Sequence, residues 1–122
     1  MTKYDPEVTP DPVEWLELDE QERMILVEDY HRAARIKLPN IKVHALVHAV
    51  VENQIAEGLE YVVRAMARLA KDGLSRHDAL HAVGCILTEH IFEILKLNDA
   101  ELAKARMARY EADLEKLTAK SS

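Results

Sequence analysis

Apolar residues recur along this chain at three- and four-residue intervals, and no segment keeps the two-residue alternation of a half-buried strand. Breaks in the pattern carry recognisable helix starts and stops. Asp11-Pro12-Val13-Glu14 combines a capping acid, a proline in the first helical position and an acid two residues on, so a short helix over about 11–16 is predicted. Asp19 and Glu22 make a capping box for a long helix over about 19–37, stopped by Pro39. Asn40 caps the next, about 41–57, which ends near Gly58. Another, about 59–72, stops at Gly73. Ser75 and Asp78 open a helix over about 76–96, and Asn98 caps the last, about 99–119, before Ser121-Ser122.

Residues 1–10 are polar and proline-bearing and read as an extended arm, followed by a single helical domain over 11–122. The fold class expected is all-α: a compact antiparallel bundle of four to five helices with a short N-terminal helical arm. Composition agrees. Of 122 residues, 48% are hydrophobic and 31% charged, with three glycines and four prolines.

Charge and cysteine content narrow the function classes. The net charge is −6, with no basic block and no aromatic interleaving, so nucleic acid is not an expected partner. Cys85 is single and falls inside a helix, which suggests a buried thiol in a reducing compartment. No stretch has the length of a membrane span or the core of a signal peptide, and the expected location is cytoplasmic. There is no Gly-rich phosphate loop, no Gly-x-Ser-x-Gly, no His-Glu-x-x-His and no Cys-x-x-Cys.

The distinctive chemistry lies in the histidines. His44 and His48 are four residues apart, and so are His77 and His81. Six histidines scattered at random over this length give roughly 0.2 such pairs, so two pairs are an excess. On helices each pair projects two imidazoles from one face. His44 and His48 share a face with Ile41, Val47, Val51 and Ile55, opposite Lys42 and Asn53. His77 and His81 share theirs with Gly84, Thr88, Ile91 and Leu95, opposite Glu93. Both pairs therefore read as pointing inward, whereas His90, beside Val83 and Ile86, reads as structural or partly exposed.

Depth along an up-down-up bundle sharpens the expectation. His48 falls ~10 Å into its helix, His81 ~7 Å into its own, and His31 ~9 Å from the same end on the antiparallel neighbour. His31 lies with Val27, Ala34 and Leu38, with Glu28 three residues before it. Glu52 extends the first pair but is ~12 Å from His44 along the axis, so one ion cannot take His44, His48 and Glu52 together. The candidate metal ligands are His44, His48, His77 and His81, with Glu52 and His31 as further ligands or supports behind them. The cofactor expected is a divalent transition metal (Zn, Fe, Mn or Ni). The alternative is a metal-free hydrogen-bonded network held by Glu52, Glu28 or Asp78.

The last helix carries Ala100, Ala103, Met107, Tyr110, Leu114 and Leu117 in a short heptad seam, with Arg109 and Asp113 supporting it. The seam suits packing inside the chain or a homodimer through residues 100–117.

The run His44-Ala-Leu-Val-His48-Ala-Val-Val-Glu52-Asn53-Gln54, with Arg76-His77-Asp78-Ala-Leu-His81, resembles a family of small uncharacterised bacterial helical proteins. Trp15-Leu-Glu-Leu-Asp19 and Tyr30-His31-Arg32 resemble the same family's entry segment. The resemblance spans about residues 12–96 and implies a bacterial, stand-alone helical domain of unknown function. His48-x3-Glu52 and His77-x3-His81 also resemble fragments of hemerythrin-like di-iron bundles, whose closing His-x4-Asp is absent here. His77-Asp78 resembles the His-Asp dipeptide of HD-type phosphohydrolases, which would imply metal-dependent phosphate hydrolysis. Three readings stay open: a metal-binding bundle without turnover, a structural or interaction protein, and an HD-like hydrolase.

Overall fold

The computed structural model describes residues 1–36, 40–96 and 99–120, with side chains omitted for 92–96. Among these residues the elements are α1 (Pro12–Glu17), α2 (Glu20–Ala33), α3 (Ile41–Ala56), α4 (Glu60–Lys71), α5 (Arg76–Lys96) and α6 (Ala100–Lys116). None is a strand, so the fold is all-α as the periodicity requires. No helix among them is long and apolar enough to cross a membrane.

The capping chemistry sets most boundaries. Asp11 accepts from the amides of Val13 and Glu14, and Asp19 and Glu22 form the reciprocal box. Asn40 accepts from Val43, and Ser75 Oγ accepts from the Asp78 amide. The cap of α6 is Asp99, which accepts from Glu101 and Leu102. The expected cap, Asn98, lies outside the described residues, as do Lys37, Leu38, Pro39 and the Ser121-Ser122 end.

The end of α2 departs from expectation. The helix stops at Ala33 because Arg35 takes a left-handed backbone, with φ of 58°. Arg35 N–H donates to Arg32 O at 3.0 Å and Ile36 N–H to His31 O at 3.0 Å, which completes a Schellman closure on a non-glycine residue. At the end of α3 the same closure uses Gly58, with φ of 73°.

Packing groups the helices into two compact units, Met1–Leu59 and Glu60–Ser122. In the first, α3 packs against α2 and α1. Its core holds Tyr4, Trp15, Val27, Ala45 and Ala49, edged by Leu18, Met24, Leu26, Tyr30 and Ala56. Asn53, expected on the outer face of α3, is instead half-buried and clasps the neighbouring helices. Its Oδ1 accepts from Trp15 Nε1 at 2.9 Å and Arg23 Nη1 at 3.1 Å. Arg23 also donates to the carbonyls of Trp15 and Leu16, closing the end of α1. A helix of six residues has almost no stability alone, so this clasp is what fixes it.

In the second unit α4, α5 and α6 pack pairwise. α4 buries Val62, Ala65 and Leu69, α5 buries Ala79, Leu80, Val83 and Leu87, and Tyr110, Leu114 and Leu117 are buried at the end of α6. Of the heptad seam, Tyr110, Leu114 and Leu117 are buried, Ala103 and Met107 are half-buried and Ala100 is exposed. Arg68 of α4 donates to the carbonyls of Leu114 and Leu117, satisfying acceptors that the end of α6 leaves open. Cys85, expected to be buried, is exposed, because it lies across α5 from the Leu80–Val83–Leu87 face.

Candidate metal centre

His31, His44 and His48 come together in the first unit. His44 and His48 occupy successive turns of α3, and His31 reaches them from the last turn of α2. One ring nitrogen from each lies within 4.8 Å of the others. His31 and His48 are buried, at 0% and 2% exposure, and His44 is half-buried. The ring centroids of His31 lie 4.7 Å from those of His44 and 5.3 Å from those of His48, both nearly edge-on.

The ring orientations follow from what each Nδ1 touches. His31 Nδ1 is 2.8 Å from the carbonyl oxygen of Val27, one turn back in α2. A carbonyl only accepts, so Nδ1 carries the proton, and in the neutral ring the lone pair belongs to Nε2. His48 Nδ1 is 3.0 Å from the Tyr4 hydroxyl, which also bonds Glu52 Oε2. A carboxylate only accepts, so the single phenolic proton goes to Glu52 and His48 Nδ1–H donates to Tyr4 Oη. The chain Glu52–Tyr4–His48 thereby directs the His48 lone pair to Nε2 as well. A carbonyl behind one imidazole and a carboxylate-backed hydroxyl behind another are the usual means of orienting histidine ligands.

His31 Nε2 and His44 Nε2 stand 3.2 Å apart. Two ligand nitrogens on a tetrahedral ion with bonds of about 2.05 Å are separated by about 3.3 Å, so the spacing is that of two vertices sharing one ion. It also serves an N–H···N hydrogen bond from His44 to His31.

Glu52 is 1% exposed and reaches His48 through the Tyr4 hydroxyl. Glu28, expected to hold His31, pairs with Arg32 at 3.4 Å instead, since i,i+4 brings those two side chains together. Tyr4 is the member that the sequence pattern conceals. It lies outside every helix, and its one signal is being the sole aromatic residue in an otherwise polar segment.

The second unit holds the other pair. His77 and His81 lie on successive turns of α5 with ring centroids 4.3 Å apart, both half-buried. Asp78 is exposed in the first turn, where an acid complements the helix dipole. His90, at 3% exposure, is more buried than its helix face suggested, and its Nε2 lies 2.7 Å from Asp113 Oδ2. Asp113 was expected to support Arg109 along α6 and meets α5 instead. Glu89, His90 and Asp113 also cluster within ligand reach of one another. The 2.7 Å contact, however, is a charge-assisted hydrogen-bond length and falls short of the separation of about 3.3 Å between two ligand atoms on a tetrahedral ion. That group is accounted for as a helix-to-helix hydrogen bond.

No known protein family, characterised protein or solved structure matches this chain.

Proposed function

We propose that the chain is a small helical metal-binding protein whose first unit holds a divalent transition metal on Nε2 of His31, His44 and His48. The observation that carries this reading is the convergence of three ring nitrogens within 4.8 Å, two of them on rings whose Nδ1 is turned to an oxygen. Three neutral imidazoles suit zinc first, then iron and nickel. Manganese, which favours oxygen donors, fits the set least well. Tyr4 and Glu52 support His48 from behind, and the buried carboxylate offsets part of the charge that a divalent ion would bring. His77 and His81 form a second chelating pair of the same spacing on α5.

The role most consistent with such a site is metal sensing, storage or metal-linked stability without turnover. Zinc, iron and nickel titrations of the chelator-treated, untagged chain test it. Uptake that is weakened by His31→Ala, His44→Ala and His48→Ala supports the reading, and failure to take up any of these metals ends it.

The 3.2 Å separation of His31 and His44 also favours a second reading, in which His44 Nε2–H donates to His31 Nε2 and the group is a structural network. In that case metal has no effect on thermal stability. In the first, stability rises with free metal by mass action.

A further inference from the structure

The Tyr4 side chain carries the segment ahead of α1 to the histidine site. Of residues 1–9, only Tyr4 and Pro6 are buried, and the others are exposed. The Tyr4 ring packs on Trp15 at 5.7 Å and edge-on to Tyr30 at 6.3 Å, while its hydroxyl bridges His48 and Glu52. The backbone around it is held by a local turn, with Val8 N–H donating to Asp5 O and Glu7 N–H to Asp5 Oδ1. These bonds shape the turn locally.

From this we infer that metal occupancy of the histidine site controls the docking of residues 1–10 on the first unit, so that the segment reports metal as a strap that closes on the loaded site. The inference rests on the proposed site and adds its regulation. An ion on His48 Nε2 draws electron density from the ring and makes Nδ1–H a stronger donor to Tyr4 Oη. The same positive charge attracts the buried Glu52 side chain, to which the Tyr4 hydroxyl donates. Both effects strengthen the bonds by which Tyr4 fixes the strap. Coupling is reciprocal, so a docked strap must in turn raise metal affinity.

Backbone hydrogen exchange of the full chain, with zinc and after chelator treatment, reads this directly at the Glu7 and Val8 amides. The expected result is exchange at these positions that is about ten-fold slower with saturating zinc. In Tyr4→Phe, which keeps the ring and removes the hydroxyl, zinc should still bind but the slowing at Glu7 and Val8 should disappear. Zinc uptake by the parent chain with unchanged exchange at both amides overturns the strap and leaves the site standing. Slowing that persists undiminished in Tyr4→Phe also overturns it. No zinc uptake in a parallel calorimetric titration overturns site and strap together.

Discussion

Tyr4 and His48, 44 positions apart in the chain, meet at 3.0 Å between the phenol oxygen and Nδ1. That contact fixes the tautomer of a buried imidazole and ties a segment outside the helices to the most chemically dense part of the first unit. Its energetic consequence is measurable. Tyr4→Phe and Glu52→Gln should each weaken zinc binding by about ten- to a hundred-fold, the usual cost of removing a partner behind a histidine ligand. Competitive titration against a chromophoric chelator measures the change, and unaltered affinity in both variants would remove Tyr4 and Glu52 from the site.

Asn53 is expected to matter for stability rather than for metal. Its side chain accepts from both Trp15 and Arg23, so Asn53→Ala leaves the buried indole N–H without that acceptor. The expected cost is about 1–3 kcal/mol of unfolding free energy. Urea denaturation checks it, and a loss below about 0.5 kcal/mol, ordinary for a surface substitution, would show that the clasp is not needed.

Helices, caps and the meeting of α2 with α3 at the histidines were legible in the sequence because they follow from periodicity and local hydrogen-bond chemistry. Counting rise per residue puts His31, His48 and His81 at one level, with His44 one turn from His48; within the first unit the structure brings His31, His44 and His48 together. Tyr4 and Asn53 were not legible, because their roles are set by tertiary partners 44 and 38 positions distant. The end of α2 escaped for a different reason. Its Schellman closure uses Arg35, where a left-handed backbone carries no sequence signature of the kind glycine supplies. Cys85 was misjudged because it sits on α5, whose buried face is set by α4 and α6 as much as by its own pattern, whereas His90 takes the structural role of the two its sequence position allowed.

Arg35 therefore offers a stabilising substitution. A non-glycine residue in the left-handed region costs about 1 kcal/mol, which glycine avoids at some expense in unfolded-chain entropy. Arg35→Gly should raise unfolding free energy by up to about 1 kcal/mol, read as a higher denaturation midpoint with the same slope. A fall in the midpoint would mean that Arg35 makes compensating contacts.

Alkaline pH should weaken the fold through Tyr61, which packs edge-on to Tyr110. Burial, and secondarily the nearby Glu111 carboxylate, push the Tyr61 phenol above its ordinary value of 10.0. The unfolded chain then releases this proton at lower pH than the folded chain does. Stability from this group is intact below about pH 10 and falls as pH rises through the folded value. Between about pH 9 and 11 the parent chain should lose more stability than Tyr61→Phe; parallel losses would contradict the assignment.

The proposed site requires His31, His44 and His48 to hold one ion together. Its most direct test is the zinc content of chelator-treated, untagged chain after reloading and gel filtration, compared with His31→Ala, His44→Ala and His48→Ala of verified helical content. Zinc should be retained by the parent chain and lost, or held at least about ten-fold more weakly, in all three variants. A parent chain that retains no zinc, or variants that retain as much as the parent, would contradict it.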